Sequence, residues 1–179
     1  MIDISFKAKI GTNKEKIVLA LEKKGAKIKK GKEEILRVFF KNDINNNSDI
    51  YNIFKIKKED DKTILSFKKK DEKNGKFIKL ESLVSDEEVI AEIINQMGYS
   101  EEFEIKLKRT KYILDGLAIN IDYIEDMDYF IEINKTVTNK EDEIRVRSNI
   151  ENLFSEIGIT KNEYILDSYE VLKYNLKNK

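Results

Sequence analysis

Alternation of apolar and polar side chains with period two runs through most of this chain and favours a fold rich in antiparallel strands. In residues 2–10 the apolar side chains share one face and the charged or polar ones share the other. Successive side chains of a β-strand point to opposite faces, so this pattern is typical of a strand with one face on a core. We predict further strands over residues 35–40, 50–58, 62–70, 76–84, 103–114, 117–124 and 129–137.

Turn and helix signals separate these strands. Glu59-Asp60-Asp61 indicates a hairpin, Asp115-Gly116 a tight turn, Asn74-Gly75 the start of a strand, and residues 42–48 a loop. Helices are predicted from Thr12 to Gly25, from Ser85 to Gly98, over residues 139–157 and over residues 164–176. The third helix is expected to bury Ile144, Ile150, Leu153, Phe154 and Ile157. The order predicts an α+β fold dominated by about eight mostly antiparallel strands.

The chemistry open to this chain is limited by two residue types that it lacks. It contains no cysteine and no histidine, which excludes disulfides, thiol nucleophiles and imidazole acid–base catalysis. Any catalysis would use carboxylates, Lys, Arg, Tyr, Ser or a hard cation. Lys+Arg and Asp+Glu are 34 each, so bulk charge does not favour nucleic acid as a partner. No apolar run approaches the roughly 20 residues of a membrane helix and no signal peptide is seen, so a cytoplasmic protein is expected.

The charged faces of the strands allow two interpretations. In one, an open sheet has a solvated charged face, the commonest arrangement for antiparallel sheets. In the other, the sheet forms a closed or nearly closed barrel with helices packed outside, and the charged faces line its interior. Lysines and carboxylates together would suit a polyphosphate held by cations and a divalent metal held by carboxylates. Alternation alone does not choose between the two.

A series of short motifs combines these charged and apolar residues. The first four read Asp3-Ile4-Ser5-Phe6-Lys7, Phe54-Lys55-Ile56-Lys57, Leu65-Ser66-Phe67-Lys68 and Lys79-Leu80-Glu81-Ser82-Leu83-Val84-Ser85-Asp86. The later ones read Gln96-Met97-Gly98-Tyr99, Lys108-Arg109-Thr110-Lys111-Tyr112, Phe130-Ile131-Glu132-Ile133-Asn134 and Ser168-Tyr169-Glu170-Val171-Leu172, with Asp122 on a strand between them.

In this order the motifs resemble those of the CYTH superfamily, the triphosphate tunnel proteins. That superfamily includes class IV adenylate cyclases, thiamine triphosphatases and inorganic triphosphatases. Its strands read Glu-x-Glu-x-Lys, hydrophobic-Arg-hydrophobic-Arg, Leu-Thr-x-Lys, Lys-Arg-x-x-Tyr and Phe-x-Glu-x-Glu. The run at residues 79–86 and the helix end at 96–99 look like the class IV adenylate cyclase-like branch. The resemblance implies a single domain over residues 1–179 that forms an eight-stranded triphosphate tunnel.

The resemblance also implies a set of site residues. The cations that would bind the triphosphate are Lys7, Lys9, Lys55, Lys57, Lys68 and Arg109. The carboxylates that would hold Mg²⁺ or Mn²⁺ are Asp3, Glu81, Asp122 and Glu132. Catalysis is assigned to Lys7 and Glu132.

The chain departs from the superfamily mainly in its carboxylates. Asp3, Ser5, Lys79 and Asn134 stand where the family has Glu, and Ile35, Arg37 and Phe39 replace its Gln-x-Asp-x-Tyr strand. Lys in place of Arg at positions 55 and 57 keeps the charge but loses bidentate phosphate geometry. Because hard cations need several oxygen ligands, fewer carboxylates should weaken metal affinity.

Three functions are open at this point. The first is metal-dependent cleavage of a nucleotide, thiamine or inorganic triphosphate by a class IV adenylate cyclase-like or triphosphatase enzyme. The second is a catalytically eroded protein that binds polyphosphate or nucleotide, or regulates through it. The third is a protein-interaction module with a solvated charged sheet. The expected partner is a small-molecule triphosphate, not nucleic acid or a membrane, and resemblance to the cyclase branch makes a homodimer plausible.

Overall fold

The residues that the computed structural model describes, 1–43, 49–70 and 77–178, include one β-sheet of eight strands. The strands are β1 (Ile2–Lys9), β2 (Lys27–Lys41), β3 (Ile53–Glu59), β4 (Lys62–Lys70), β5 (Phe77–Val84), β6 (Tyr99–Leu114), β7 (Leu117–Ile124) and β8 (Asp128–Val137). Their order in the sheet is β1-β8-β7-β6-β2-β3-β4-β5. The pairs β1–β8, β7–β8, β2–β3, β3–β4 and β4–β5 are antiparallel. The predicted α+β fold of antiparallel strands is confirmed.

Four α-helices accompany the sheet in the described part of the chain. They are α1 (Lys14–Lys23), α2 (Glu87–Gln96), α3 (Lys140–Glu156) and α4 (Tyr169–Lys177). The helix α2 begins after Asp86, whose carboxylate accepts a hydrogen bond from the backbone N–H of Val89 at 3.1 Å. The cap is therefore one residue later than the predicted Ser85. None of the described helices combines the length and the hydropathy that crossing a membrane takes.

The chain divides into two compact units. The first unit comprises Met1–Lys32 and Lys108–Leu166, and the second comprises Glu33–Leu107 and Asp167–Lys179. Strands β2 and β6 each contribute one part to each unit. The prediction of a single domain over residues 1–179 stays a prediction.

In the first unit, helices α1 and α3 pack against the apolar face of β1, β6, β7 and β8. Their shared core includes Ile4, Leu21, Ile119, Ile131, Ile133, Ile150 and Phe154, all nearly inaccessible to solvent. The predicted buried side of α3 is wrong at one position. Ile144 is 72% exposed, and Val146 is buried in its place. The odd-numbered residues of β1 and the even-numbered residues of β7 and β8 share the opposite face of the sheet, which carries the polar side chains.

In the second unit, α2 packs on one face of the sheet and α4 packs on the other. The core under α2 contains Phe39, Ile56, Ala91 and Ile94. On the opposite face, the ring centroid of Tyr174 in α4 lies 4.7 Å from that of Phe40. This second face also carries Lys55 and Lys57 of β3 and Lys68 of β4, since Phe40 pairs with Ile53 and Ile53 pairs with Lys68.

The tight turn between β6 and β7 has the predicted form. Asp115 and Gly116 have φ values of 49° and 73°. Positive φ at both central residues defines the type I′ turn, which matches the twist of the flanking strands. The hairpin at Glu59-Asp60-Asp61 is also confirmed, because β3 ends at Glu59 and β4 begins at Lys62. Residues 44–48 of the loop predicted over residues 42–48, and the strand start predicted at Asn74-Gly75, lie outside the described residues.

Candidate functional site

Strand register brings several predicted site residues to one polar face of the first unit. Lys7 of β1 lies directly opposite Glu132 of β8, and Glu132 lies directly opposite Asn120 of β7. Directly opposed residues of an antiparallel pair point to the same side of the sheet. Lys7 and Asn120 are both buried. A cation, a carboxylate and an amide therefore stand side by side across three strands.

Arg109 of β6 connects Asp122 and Glu132, two of the predicted metal ligands of this face. Its Nε donates to Asp122 Oδ1 at 2.7 Å, and its Nη2 donates to Asp122 Oδ2 at 2.6 Å. The same Nη2 lies 3.4 Å from Glu132 Oε2. This two-pronged pairing is the geometry in which guanidinium binds carboxylate or phosphate most strongly. Asp122 is 0% exposed, so its charge depends on Arg109 for compensation.

Glu132 receives neutral hydrogen-bond donors as well. The Ser5 hydroxyl donates to Glu132 Oε1 at 3.0 Å, and the Asn120 amide lies 3.5 Å from Oε2. The superfamily motif has Glu at the position that Ser5 occupies in this chain. The structure instead places there a hydroxyl that binds the remaining carboxylate.

Two predicted residues of the first unit lie away from this group. Asp3 accepts a hydrogen bond from the Thr136 hydroxyl at 2.6 Å and is exposed. Asp3 and Lys7 are four positions apart, which is about 13 Å along a strand. Lys9 lies at the other end of β1, opposite Phe130. The structure brings together Lys7, Arg109, Asp122 and Glu132, whereas Asp3 and Lys9 are both exposed near the two ends of β1.

In the second unit, another polar face carries the other predicted cations. Lys55 of β3 lies opposite Ser66 of β4, and Ser66 lies opposite Glu81 of β5. Lys57 lies on the same face of β3, and Lys68 lies on the same face of β4. The Oγ of Ser66 is buried and has no hydrogen-bond partner among the described residues.

Lys55 is held by a carboxylate from α4. Its Nζ lies 2.6 Å from Glu170 Oε1, and the side chains of Lys55 and Glu170 are only 14% and 7% exposed. Burial acts to raise the pKa of the Glu170 carboxyl, but the charge and the hydrogen bond of Lys55 outweigh burial and hold that pKa well below its ordinary value. Glu170 is therefore ionised and forms a buried ion pair with Lys55.

The other ion pairs of this face link neighbours within one strand. Lys57 pairs with Glu59 at 2.7 Å, and Lys79 pairs with Glu81 at 2.9 Å. Burial acts to raise the pKa of Glu81, yet the hydrogen bond from Lys79 and the charges of Lys57 and Lys55 lower it overall. Lys68 places its ammonium 4.1 Å from the ring centroid of Phe77.

The oxygen donors of the first unit fit a divalent cation that binds together with a substrate. Among the described residues, no group of three or more Asp or Glu side chains is placed to hold a metal ion. Mg²⁺ usually keeps several waters and takes only one or two carboxylates, with phosphate oxygens completing its shell. Glu132 and the Ser5 oxygen meet that requirement, because the donors to Glu132 lie at 3.0 to 3.5 Å. Both oxygens of Asp122 are instead held closely by Arg109, at 2.6 and 2.7 Å.

Sequence reasoning missed two residues of these faces. Asn120 stands two positions before Asp122, so the alternation of β7 contained its signal. Glu170 was noted as part of Ser168-Tyr169-Glu170-Val171-Leu172 but received no role. Its neighbour Val171 is buried. A carboxylate next to a buried apolar residue in the first turn of an amphipathic helix was the available signal.

The α+β fold of antiparallel strands, with cations and carboxylates interleaved on its polar faces, is consistent with a triphosphate tunnel. No family model matches the chain. A Methanocaldococcus jannaschii protein named "putative adenylate cyclase" is 25% identical over 177 residues, which cover 97% of this chain and 99% of that protein. The resemblance to the CYTH superfamily, on its class IV adenylate cyclase-like branch, is confirmed.

Solved structures share the fold. A Pyrococcus horikoshii protein has a TM-score of 0.73 and 21% identity, and the match covers 94% of this chain and 98% of that one. A Hippeastrum protein named "putative adenylyl cyclase", with a dominant triphosphatase activity, has a TM-score of 0.67 and 15% identity. That match covers 99% of this chain and 95% of the Hippeastrum chain.

Proposed function

We propose that this chain binds a small-molecule triphosphate together with Mg²⁺ or Mn²⁺ and cleaves it. The observation that carries the proposal is the group formed by Lys7, Arg109, Asp122 and Glu132 on one face of the first unit. Phosphate binding needs fixed cations, and a hard cation needs carboxylate oxygen. Both kinds of side chain lie on four strands that are consecutive in the sheet, β1, β8, β7 and β6.

The roles of the four residues follow from their positions. Arg109 would bind phosphate oxygens with its guanidinium, and Asp122 would fix that guanidinium in orientation. Lys7 would neutralise charge that develops on the phosphates during transfer. Glu132 would hold the divalent cation, which supplies electrostatic stabilisation of the transferred phosphoryl group. In the second unit, Lys55, Lys57 and Lys68 would bind phosphate, and Glu81 would be a further candidate metal ligand.

Hydrolysis is the reaction that we favour. A water molecule attacks the terminal phosphorus and the bridging P–O bond to it breaks. The diphosphate part of the substrate leaves with the bonding electron pair, and the attacked phosphorus, which has gained the oxygen of the water, is released as orthophosphate with the water's proton passing to the products or to solvent. The triphosphatase activity of the Hippeastrum protein supports this choice. The name of the Methanocaldococcus jannaschii relative supports the alternative, in which the ribose hydroxyl of ATP attacks the α-phosphorus and pyrophosphate leaves.

Thermal melting with three ligands tests binding. Inorganic triphosphate, ATP and thiamine triphosphate are each added with and without Mg²⁺ or Mn²⁺. A ligand at 100 times its dissociation constant stabilises by about 2.7 kcal/mol, which raises the melting temperature of a chain of this size by about 5–11 °C. Phosphate and pyrophosphate release measures turnover. The proposal fails if none of the three ligands changes the melting temperature.

A pair of adjacent lysines supplies a matched control. Lys57 lies on the polar face of β3, whereas Lys58 lies on the opposite face and pairs with Glu87 of α2 at 2.8 Å. Lys57→Gln should weaken triphosphate binding, and Lys58→Gln should leave it near the wild-type value. Equal losses in both variants would indicate a general charge effect and not a phosphate-binding face.

A second candidate function is binding without cleavage. It is favoured by Ser5, Lys79 and Asn134, which stand where the superfamily has Glu. Under this hypothesis, a triphosphate raises the melting temperature without metal and no phosphate is released. The double variant Ser5→Glu, Asn134→Glu should then gain metal affinity and turnover. A double variant that binds metal no better than wild type would show that these positions are not lost metal ligands.

A further inference from the structure

The pairing of Lys55 with Glu170 has a consequence for ligand binding. Lys55 is one of the cations assigned to the triphosphate, yet its Nζ already lies 2.6 Å from a carboxylate oxygen. Carboxylate and phosphate oxygens compete for the same ammonium group, because both are anionic acceptors of charge-assisted hydrogen bonds. The pair is largely withdrawn from solvent, so salt and water screen it weakly.

A second observation on this face points to a missing acceptor. Ser66 lies directly opposite Lys55 on β4, and its side chain is buried at 2% exposure. Its Oγ has no hydrogen-bond partner among the described residues. Buried hydroxyl groups are normally bonded, and one without a partner costs free energy. A phosphate oxygen bound beside Lys55 would be within the reach of a hydroxyl on the directly opposed residue.

The Glu170 side chain is buried where it meets Lys55. Glu170 is 5% exposed and its neighbour Val171 is 1% exposed, and both belong to the first turn of α4. The rest of α4 is attached by Tyr174, whose ring packs on Phe40, and by Lys177, which pairs with Glu102 at 3.2 Å. These contacts hold the helix at its other end, so the first turn is the part that would move.

We propose that Glu170 is a built-in competitor for the phosphate that Lys55 binds, and that the first turn of α4 leaves Lys55 when a triphosphate arrives. This inference rests on the proposed triphosphate binding and names a residue that limits its affinity. Removal of the carboxylate should therefore strengthen binding, which is the opposite of what a positioning role for Glu170 would give.

Titration of wild type, Glu170→Gln and Glu102→Gln with inorganic triphosphate tests the inference. Glu102→Gln is the matched control, because it makes the same chemical change and also breaks an ion pair of α4, but not the one with Lys55. We expect Glu170→Gln to bind about tenfold more tightly than wild type, as expected for the loss of one charge-assisted competitor. The control should change by less than about twofold, because it alters only distant, screened charge.

Each outcome of the titration has a distinct meaning. Tighter binding by Glu170→Gln alone, including binding where wild type shows none, supports the inference. Equal or weaker binding by Glu170→Gln overturns it and leaves the proposed function standing, provided wild type binds. Absence of binding by all three proteins overturns both the inference and the proposed function.

Hydrogen exchange of the wild-type protein provides a test that does not depend on how a variant folds. Saturating inorganic triphosphate should speed the exchange of amides in the first turn of α4 and leave those of α2 unchanged. Slower or unchanged exchange in α4 while triphosphate binds would overturn the inference.

Discussion

The pairing of Asp122 with Arg109 gives the sharpest test of how the first unit is stabilised. Asp122 is fully buried, and both of its oxygens accept hydrogen bonds from Arg109 at 2.6 and 2.7 Å. Replacement by Asn keeps the shape but removes the charge and turns one acceptor into a donor that faces a guanidinium. Removal of one partner of a buried ion pair costs about 3–5 kcal/mol, because the other charge stays uncompensated. The Arg109 side chain is 20% exposed and lies 3.4 Å from Glu132, so we expect the lower end of that range.

Urea and thermal unfolding of Asp122→Asn measure this cost. A loss of about 3 kcal/mol lowers the melting temperature of a chain of this size by about 6–12 °C. Asp3→Asn is the control. It makes the same chemical change on the same polar face, but Asp3 is exposed. Its cost should stay within about 1 kcal/mol. The measurement is made without metal or phosphate, so that loss of a ligand cannot mimic loss of the pair.

A double variant separates pairing from simple burial. Replacement of both partners, Asp122→Leu with Arg109→Met, removes the two charges together and should cost less than Asp122→Asn alone. Triphosphate binding should nevertheless be lost in the double variant, since the guanidinium is gone. The reasoning is refuted if Asp122→Asn costs less than about 1 kcal/mol, or if the double variant is the less stable of the two.

Three further results are expected. Gly116→Ala should destabilise the protein by about 1–2 kcal/mol in urea melts, because φ at Gly116 is 73° and a side chain there is strained. Ile150→Ala should cost about 2–5 kcal/mol by the cavity it leaves in the core, whereas Ile144→Ala should change stability by less than about 0.5 kcal/mol because Ile144 is exposed. The pKa of Glu170 is lower in the folded state than its ordinary value of 4.5, since Lys55 outweighs burial. The stabilisation by Glu170 is therefore present above that pH and is lost as the pH falls below it, so the stability difference between wild type and Glu170→Gln should shrink in acid.

Strands with one apolar face could be predicted closely from the sequence. The predicted bounds 62–70 and 117–124 coincide with β4 and β7, because each of these strands alternates and is bounded by turn residues. Strand β2 is longer than predicted and begins at Lys27 instead of residue 35. Its first residues are charged and mostly exposed, so no alternation marks them. Backbone pairing with a neighbouring strand holds them extended, and single-sequence patterns do not report such pairing.

The polar faces were predictable residue by residue, but their ion pairs were not. Alternation assigned Glu132 and Asp122 to faces opposite the core, and the register confirms that assignment. The partner of Lys55 comes from α4, 115 positions further along the chain. No local pattern links the two residues, since the pair depends on how α4 packs. The same limit explains Ile144, which lies in a helix with apolar residues on more than one side.

The ion pairs change how the missing carboxylates of this chain are interpreted. A count of the motif carboxylates shows fewer negative charges than in the superfamily, because Ser5, Lys79 and Asn134 stand where its motifs have Glu. In the folded units, however, Arg109 is compensated by Asp122, Lys55 by Glu170 and Lys57 by Glu59. Under the proposed function, Lys55 and Lys57 would each exchange a carboxylate for phosphate, whereas Arg109 would keep Asp122 as its orienting partner. The contribution of the two lysines to triphosphate affinity would then be the difference between two similar interactions. Under the proposed function, affinity for a triphosphate would therefore depend on how readily the carboxylates release these lysines as well as on the number of cations on the two faces.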